Sequence, residues 1–181
     1  MVDKWPRLNR EKLGDYRIFT LNQDTRRSPR TGNVHNFFVL EAGDWINVIP
    51  LTAVDDVVMI HQFRHGTGEI TLEIPGGMVD PGEDPAEAAR RELLEETGYT
   101  CDDIIPLGVV TPNPAFLNNR CHTFLATNAR WVQTPTFDGA EDIAVETFPL
   151  ADVPEMIRHG RITHALVVAA FSHLDRYRHK R

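Results

Sequence analysis

The sequence predicts an α/β (α+β) protein in which helices flank a mixed β-sheet and an extra antiparallel β-element comes first. Three observations support this prediction. Residues 16–63 form a series of apolar, β-branched and aromatic runs separated by turn sequences. A helix with clear start and stop signals follows at Pro85–Thr97. Three further strands then precede two helical segments near the C-terminus.

Composition sets the broad class of the protein. The chain has 181 residues, of which 41% are hydrophobic and 25% are charged, so it can bury a core in one compact domain with an appended element. Its net charge of −7 argues against a surface that binds nucleic acid by general attraction to phosphates. If the ligand is an anion, local arginine or a bound metal cation must supply the positive charge.

The sequence also lacks the features of membrane and secreted proteins. No run approaches the roughly 18 apolar residues that a membrane span needs, and the polar N-terminus lacks the apolar core of a signal peptide. The two cysteines, Cys101 and Cys121, match no disulfide framework and no metal-site spacing. We therefore expect a cytoplasmic protein with reduced thiols and with neither a membrane nor a nucleic-acid partner.

The N-terminal part is expected to form β-hairpins. Polar turn sequences such as Arg-Ser-Pro-Arg-Thr-Gly separate its runs of strand-forming residues. The predicted strands cover residues 16–21, 34–40, 45–51 and 57–63. We assign residues 1–55 to an N-terminal β-rich element and residues 56–181 to the main domain.

The best-defined element is the helix that follows a strand over residues 69–74 and a turn at Gly76-Gly77. Asp84 is a favourable N-cap residue, and the proline after it suits the first helical position. Gly98 stands where the helix should end. These signals place the helix at Pro85–Thr97.

The rest of the chain is predicted to continue the sheet and then to cover it with helices. Strands are expected over residues 104–111, 120–126 and 144–148, and helices over residues 151–158 and 163–177. The polar segment 133–142, which contains glycine and proline, is a candidate mobile loop.

The helix Pro85–Thr97 carries an unusual cluster of carboxylates. Glu92, Glu95 and Glu96 are related as i, i+3 and i+4, so they share one face, and Glu83 stands just before the helix. One interpretation is a solvated helix face on which neighbouring arginines relieve the repulsion. The other is a metal site, because grouped carboxylate oxygens are the ligands that Mg²⁺ or Mn²⁺ prefers.

The spacing of this segment resembles the Nudix box of the Nudix hydrolases. The matching residues are Gly77, then Glu83 after five residues, then, after seven more, Arg91-Glu92-Leu93-Leu94-Glu95-Glu96-Thr97-Gly98-Tyr99. Every fixed position of the box, which covers residues 77–99, is filled. The resemblance implies the Nudix fold. It also implies hydrolysis of a nucleoside diphosphate linked to another group, assisted by divalent cations.

The resemblance also implies roles for individual residues. Glu92, Glu95 and Glu96 are similar to the metal ligands of the family, joined by the Gly76 carbonyl and, directly or through water, by Glu83. Glu95 and Glu96 thereby count as catalytic residues. Arg91 is expected to organise the glutamates by ion pairing, and Gly77 to permit the close turn.

The sequence around the box is similar to that of ADP-ribose pyrophosphatases. The segment HQFRHGTGEITLEIPGG resembles the arginine-bearing strand and the turn of that group, and Pro114 stands at a characteristic spacing after the box. The segment around Glu141 resembles the loop that carries a catalytic glutamate, so Glu141 is the candidate general base. Glu141 also fits an acidic loop with no catalytic role, and Glu146 is a poorer alternative base.

The same resemblance suggests how substrate and subunits are bound. The N-terminal β-rich element would help to form a homodimer and would complete the nucleotide pocket. Arg64 is expected to contact phosphate, as Arg26, Arg27 or Arg30 would unless they serve only solubility. Base stacking is assigned to Phe116 and Trp45, with Phe37 as a further candidate, although each also fits an apolar core. His61 and His65 do not form a helical ligand pair.

The predicted function is metal-dependent hydrolysis of the pyrophosphate bond of a nucleoside diphosphate sugar, such as ADP-ribose, to a nucleoside monophosphate and a sugar phosphate. One alternative is a nucleoside triphosphate pyrophosphohydrolase that removes damaged nucleotides. Another is a non-catalytic regulator that binds ADP-ribose.

Overall fold

The computed structural model describes residues 1–137 and 142–179. Its strands are β1 (Arg7–Asp15), β2 (Thr20–Arg27), β3 (Val34–Glu41), β4 (Trp45–Pro50), β5 (Asp56–Arg64), β6 (Glu69–Glu73), β7 (Gly76–Met78), β8 (Tyr99–Thr100), β9 (Ile104–Val110), β10 (Cys121–Ala126), β11 (Arg130–Trp131) and β12 (Ile143–Pro149). Its α-helices are α1 (Pro85–Thr97), α2 (Val153–Arg158) and α3 (Ala165–Arg178). A short 3₁₀ turn, Leu150–Asp152, precedes α2.

The chain divides into two compact units. The first comprises Met1–Asp44 and Thr111–Arg120, and the second comprises Trp45–Val110 and the described residues from Cys121 onward. The predicted N-terminal element ran to residue 55 and therefore included β4. In the structure β4 instead pairs with β7 and β10 inside the second unit, because its apolar residues belong to that unit's core.

The first unit contains a three-stranded antiparallel sheet in the order β1-β2-β3. Strand β1 was not predicted, because its residues are mostly polar and show no apolar alternation. The predicted strand over residues 16–21 is also wrong in its first half. Tyr16 N–H donates to the Phe19 carbonyl at 2.9 Å, and Arg17 has a φ of 64°, so the chain turns there and β2 begins at Thr20.

A buried ion cluster stabilises this sheet. Asp24 on β2 is fully buried, and its two carboxylate oxygens accept hydrogen bonds from Arg10 at 2.6 and 3.1 Å. Arg26 donates to the same carboxylate at 2.7 Å. The Arg10 hydrogen bond is the main cause of the low pKa of Asp24, about 2, although burial opposes it. Polar cross-strand contacts thus replace an apolar core at the centre of this sheet.

The second unit is built around a mixed sheet in the order β7-β4-β10-β9. Strands β4 and β10 are parallel, in register from the pair Trp45 and Cys121, while the other pairs are antiparallel. A second, antiparallel sheet has the order β12-β5-β6, and β8 pairs with β11 in a short ribbon. The predicted mixed sheet is therefore confirmed.

Helices cover both faces of the mixed sheet because β4 alternates its apolar side chains. Ile46 and Val48 face α1, where Ala88, Ala89 and Leu93 pack against them. Ile49 and Leu51 belong to the core on the opposite face, which α3 covers with Val167, Ala170, Phe171 and Leu174. The cores fix α1 against the sheet and so position the carboxylates on its other side.

Helix α1 has the predicted ends. The Asp84 side chain accepts a 2.8 Å hydrogen bond from Ala86 N–H, and Pro85 occupies the first helical position. Gly98 closes the helix with a φ of 73°, and its N–H donates to the Leu94 carbonyl at 2.8 Å. Near the C-terminus α2 begins at Val153 and α3 at Ala165, each two residues later than predicted. Among the described residues, no helix combines the length and apolar character needed to cross a membrane.

The segment after β11 lies against the end of α1. Val132 N–H and Gln133 N–H both donate to the Gly98 carbonyl, at 2.9 and 3.2 Å. Thr136 N–H donates to the Glu95 carbonyl at 2.9 Å. The first part of the predicted loop 133–142 is therefore attached to the last turn of the carboxylate helix. Glu141 lies outside the described residues.

Candidate active site

The candidate site begins at Gly76 and Gly77, where a turn was predicted but the structure has the start of β7; we call this pair the glycine turn. Gly76 pairs with Asn47 of β4, and Gly77 pairs with Ile46. A Cβ atom at Gly77 would overlap the Glu92 carboxylate. At Gly76 a Cβ atom would overlap the backbone carbonyl of Ile46, so glycine is required at that position, whereas a Cβ at Gly77 would displace the Glu92 side chain.

A second glutamate of α1 is bound to the same turn. Oε2 of Glu96 accepts a 2.9 Å hydrogen bond from Gly76 N–H, and Glu96 is only 2% exposed. The preceding residue of the helix, Glu95, has 47% of its side chain exposed. The turn therefore fixes Glu92 and Glu96 closely, while Glu95 faces solvent.

Arg91 lies at the centre of the carboxylate cluster. Its Nε and Nη2 donate to the two oxygens of Glu83 at 2.9 and 3.0 Å. Its Nη1 donates to Glu92 at 2.8 Å and to Glu95 at 3.1 Å, and Nη2 also reaches the Met78 carbonyl at 3.1 Å. One guanidinium thus holds three carboxylates and the backbone of the turn in a single arrangement.

These contacts shift the pKa values of groups in the cluster. The hydrogen bond from Arg91 lowers the pKa of Glu83, and the Asp80 N–H, which donates to Glu83 at 3.0 Å, lowers it further. The hydrogen bond to Glu83 is likewise the main cause of the raised pKa of Arg91. Arg91 therefore compensates part of the repulsion between carboxylates that would destabilise an isolated helix.

The donor atoms suit a divalent cation. Within residues 1–137 and 142–179, no three His, Cys, Asp or Glu side chains stand close enough together to hold a metal ion. The glycine turn nevertheless brings the carboxylates of Glu92 and Glu96 to adjacent backbone positions, against Gly77 and the Gly76 N–H. Hard oxygen donors of this kind are those that Mg²⁺ and Mn²⁺ prefer. The turn thus fits the predicted metal-binding role.

A second polar group lies beside the turn, on β5 and β6. Arg64 donates two hydrogen bonds of 2.7 Å to the carboxylate of Glu73, which also accepts a hydrogen bond from Thr71. His164 Nε2 is 3.9 Å from the same carboxylate. Burial alone would raise the pKa of Glu73, but the bonds from Arg64 and Thr71 outweigh it and the pKa is lowered. Glu73 therefore holds Arg64 in a fixed orientation as an ion pair.

A cleft of about 270 Å³ adjoins the glycine turn. Its polar lining comes from Asn47, Arg64, Glu73 and His164. Its apolar lining comes from Trp45, Ile46, Ile74, Met78 and Leu166. Two of the residues predicted to bind substrate, Arg64 and Trp45, thus line one cleft together with Gly76 and Gly77.

Other predicted residues lie elsewhere. Phe116 is in the first unit, where its carbonyl accepts a 2.8 Å hydrogen bond from Leu40 N–H and its ring is 43% exposed. Arg26 is also in that unit, bound to Asp24 and to the Trp5 carbonyl. Glu146, the alternative base, lies within β12 and forms a 2.9 Å contact with His61.

Three residues that line the cleft were not predicted from the sequence, namely Glu73, Asn47 and His164. Glu73 lies in β6, and its partner Arg64 is nine residues earlier on the neighbouring strand β5. The sequence therefore contains no local sign that the two side chains pair. Asn47 is a polar residue inside the apolar run of β4, which was a usable signal. His164 had no local signal, since only the tertiary fold brings the start of α3 to the turn.

Comparison with known proteins supports the resemblance. A family model described as the NUDIX domain matches residues 45–170, beginning at the first residue of the second unit. The chain is 29% identical over 167 residues to the ADP-ribose pyrophosphatase of Mycobacterium tuberculosis, and this match covers 90% of this chain and 79% of that protein. It is 30% identical over 158 residues to the CMP-5'-(N-acetyl-N-hydroxy-3-aminopropyl)phosphonate hydrolase of Streptomyces rubellomurinus, covering 87% of this chain and 76% of that protein.

A solved structure confirms the predicted fold. The crystal structure of an ADP compounds hydrolase superposes with a TM-score of 0.85 at 22% identity, over 98% of this chain and 95% of that chain. The family model covers well over half of the sequence and includes the whole carboxylate helix. Enzymes of this family generally need a divalent metal ion. The chain therefore belongs to the Nudix hydrolase family.

Proposed function

We propose that the chain hydrolyses the pyrophosphate bond of a nucleoside diphosphate sugar of the ADP-ribose type, giving a nucleoside monophosphate and a sugar phosphate. The observation that carries this proposal is the hydrogen bond from Gly76 to Glu96 and the close packing of the Glu92 carboxylate on Gly77, with Arg91 bound to Glu92 and Glu95. The names of the relatives support the substrate class, since they include an ADP-ribose pyrophosphatase and an ADP-sugar pyrophosphatase.

The carboxylate helix needs a cation to meet such a substrate. Each pair of like unit charges at 4 Å would repel by about 4 kcal/mol at an effective dielectric constant near 20. We assign Glu92, Glu95, Glu96 and the Gly76 carbonyl to holding Mg²⁺ or Mn²⁺, with Glu83 beside them. When bound, such ions lower the pKa of water and stabilise the charge that develops on phosphate oxygens.

Arg64 is assigned to the substrate phosphates. Glu73 accepts from its Nε and Nη2, which leaves Nη1 to donate to a phosphate oxygen in the cleft. The ion pair restricts the orientation of the guanidinium before substrate arrives, so less conformational freedom is lost on binding.

Glu141 is assigned as the general base on the strength of the resemblance. It would accept a proton from the attacking water while the water oxygen bonds to one phosphorus atom. The bridging oxygen then leaves with the other phosphate. In the described part of the chain before it, the Thr136 N–H donates to the carbonyl of Glu95 on the carboxylate helix.

A homodimer is proposed from the surface of the first unit. Phe37 is 41% exposed and Phe38 is 59% exposed at successive positions of β3, so each face of this sheet carries one exposed ring. Leu8, Leu13 and Val34 are further exposed apolar residues of the same unit. A second copy of the chain would remove such side chains from water. Light scattering at several protein concentrations tests this assignment, and a monomer at all of them contradicts it.

The experiment that tests the activity is a substrate panel with Mg²⁺ and with Mn²⁺. The panel comprises ADP-ribose, ADP-glucose, GDP-mannose, UDP-glucose, diadenosine tetraphosphate and deoxynucleoside triphosphates, with products identified by mass. The proposal expects a nucleoside monophosphate and a sugar phosphate from at least one nucleotide sugar. Release of pyrophosphate from triphosphates alone would instead establish a nucleoside triphosphate pyrophosphohydrolase. Binding of ADP-ribose without turnover of any substrate would establish a non-catalytic regulator.

A further inference from the structure

Two residues that line the cleft beside the glycine turn each carry a buried polar atom with no hydrogen-bond partner among the described residues. The atoms are Nδ2 of Asn47 and Nδ1 of His164. Asn47 is only 9% exposed, and both residues line the same cleft of about 270 Å³. A buried donor left unpaired costs on the order of 1–3 kcal/mol, so both groups need an explanation.

The core does not require a polar residue at position 47. Ile49 of β4 and Leu51, which follows the strand, are apolar and buried in the core under α3. An apolar residue at position 47 would continue that pattern without an unpaired amide. His164 likewise gives no side-chain hydrogen bond to the start of α3, so capping does not account for it. Both unpaired atoms are closed to solvent as the side chains stand, but both residues line the adjoining cleft, so rotation of the amide or of the imidazole ring brings a polar group to a ligand there.

The lining of the cleft indicates the chemistry of that ligand. Trp45, Ile74, Met78 and Leu166 form apolar walls, and the unpaired amide and imidazole lie among them. The negative charge of Glu73 is compensated by Arg64. A ligand with both apolar ring faces and several hydroxyl groups matches such a lining, because hydroxyls donate to and accept from either end of an amide or an imidazole. A sugar ring has this character.

We propose that this cleft is the subsite for the sugar of the substrate, and that Asn47 and His164 determine which sugar is accepted by hydrogen bonding to its hydroxyl groups. The proposal rests on the proposed function for the presence of a sugar in the substrate. Rotation of the Asn47 amide exchanges groups of nearly equal size, so either end can face the ligand. Arg64, at the edge of the same cleft, holds the adjoining phosphate.

The test compares two probes that differ only in the sugar. Ribose 5-phosphate and methyl phosphate are titrated with Mg²⁺ into the wild type, Asn47→Leu and His164→Leu. We expect the wild type to bind ribose 5-phosphate about tenfold or more tightly than methyl phosphate, and each variant to lose most of that preference, since one or two hydrogen bonds are removed. Equal affinity of the wild type for both probes would overturn the proposal.

Two further variants separate binding from folding. His164→Asn keeps a polar group near the position of Nδ1 and should restore much of the preference that His164→Leu loses. His159→Leu, at an exposed residue that contacts Glu155 outside the cleft, is the matched control and should leave the preference unchanged. If all three histidine variants change both probes equally, the effect is structural and the assignment of His164 is wrong.

Turnover distinguishes the failure of this proposal from the failure of the proposed function. If the wild type hydrolyses nucleotide sugars but Asn47→Leu and His164→Leu keep its sugar preference, the subsite is wrong and the activity stands. If the wild type prefers ribose 5-phosphate yet hydrolyses no nucleotide sugar, the subsite stands and the proposed function fails.

Discussion

The backbone N–H of Gly76 donates a 2.9 Å hydrogen bond to Oε2 of Glu96, which lies twenty residues later in the chain. This bond joins the turn after β6 to the last turn of α1. A carboxylate that is 2% exposed has little freedom to reorient, so the helix and the turn present their oxygens as one rigid group.

Glu96→Gln should reduce turnover by at least about 100-fold, because it removes one negative ligand from the proposed metal site. Glutamine keeps an oxygen that can accept from Gly76 N–H, so the melting temperature should change little. Steady-state kinetics and thermal unfolding check the two expectations. Near wild-type turnover would exclude Glu96 as a metal ligand.

Glu141→Gln should lower kcat by about 100-fold or more while substrate and metal binding are largely kept, because only proton transfer is lost. The measurement is kcat and KM on the best substrate of the panel. Glu146→Gln is the comparison, since Glu146 is paired with His61 on β12 and should have little effect. The reverse result would move the base to Glu146.

Glu73→Gln should raise KM more than it lowers kcat. The change breaks a bidentate ion pair and frees the Arg64 guanidinium to adopt orientations that do not suit phosphate. Glu69→Gln is the control, because Glu69 lies opposite Arg64 in the strand register but is exposed. An unchanged KM in Glu73→Gln would show that the pair does not position Arg64 for substrate.

Gly98→Ala should destabilise the protein by more than about 1–3 kcal/mol, the strain expected for a left-handed alanine alone. The added Cβ would also overlap the backbone carbonyl of Gln133. Gly82→Ala separates the two causes, since Gly82 has a φ of 85° but no described atom within 4 Å of the added Cβ. Urea unfolding should show a larger loss of unfolding free energy for Gly98→Ala than for Gly82→Ala. Equal losses would show that the overlap with the Gln133 carbonyl does not contribute to the destabilisation.

Acid should weaken the fold through Asp24, whose pKa falls from 3.8 to about 2 when Arg10 donates to it. Because the folded pKa lies below the unfolded one, the ionised carboxylate stabilises the fold above about pH 4, and this contribution disappears as the pH falls through about 2. Asp24→Asn should therefore be less stable at neutral pH and lose less stability on acidification. Parallel unfolding curves for both proteins across that range would contradict this role.

Local signals explain which parts of the fold were predictable. Asp84, Pro85 and Gly98 act within a few residues of the helix ends, so α1 was predicted at its observed bounds. The first strand was missed because its stability comes from Arg10 reaching Asp24 fourteen residues away, a contact with no local pattern. The boundary of the N-terminal element was predicted at residue 55, whereas the first unit ends at Asp44 and resumes at Thr111–Arg120. The difference arises because β4 forms its parallel ladder with β10, far along the sequence.

The candidate site, like the fold, was predictable only where its residues are close together in the sequence. The box residues lie in one short segment, and their spacing alone placed Glu92 and Glu96 on one helix face. The ion pair of Arg64 with Glu73, and the approach of His164 to it, depend on β5, β6 and α3 meeting at the turn. Such contacts between distant segments leave no periodic signal in the sequence.

The three hydrogen bonds that attach Val132, Gln133 and Thr136 to the end of α1 also limit how this enzyme can be redesigned. An exchange of the following loop for that of a relative, made to alter the substrate range, should begin after Thr136. A graft that began earlier would detach the chain from the carbonyls of Glu95 and Gly98 and would disturb the carboxylate helix along with the loop.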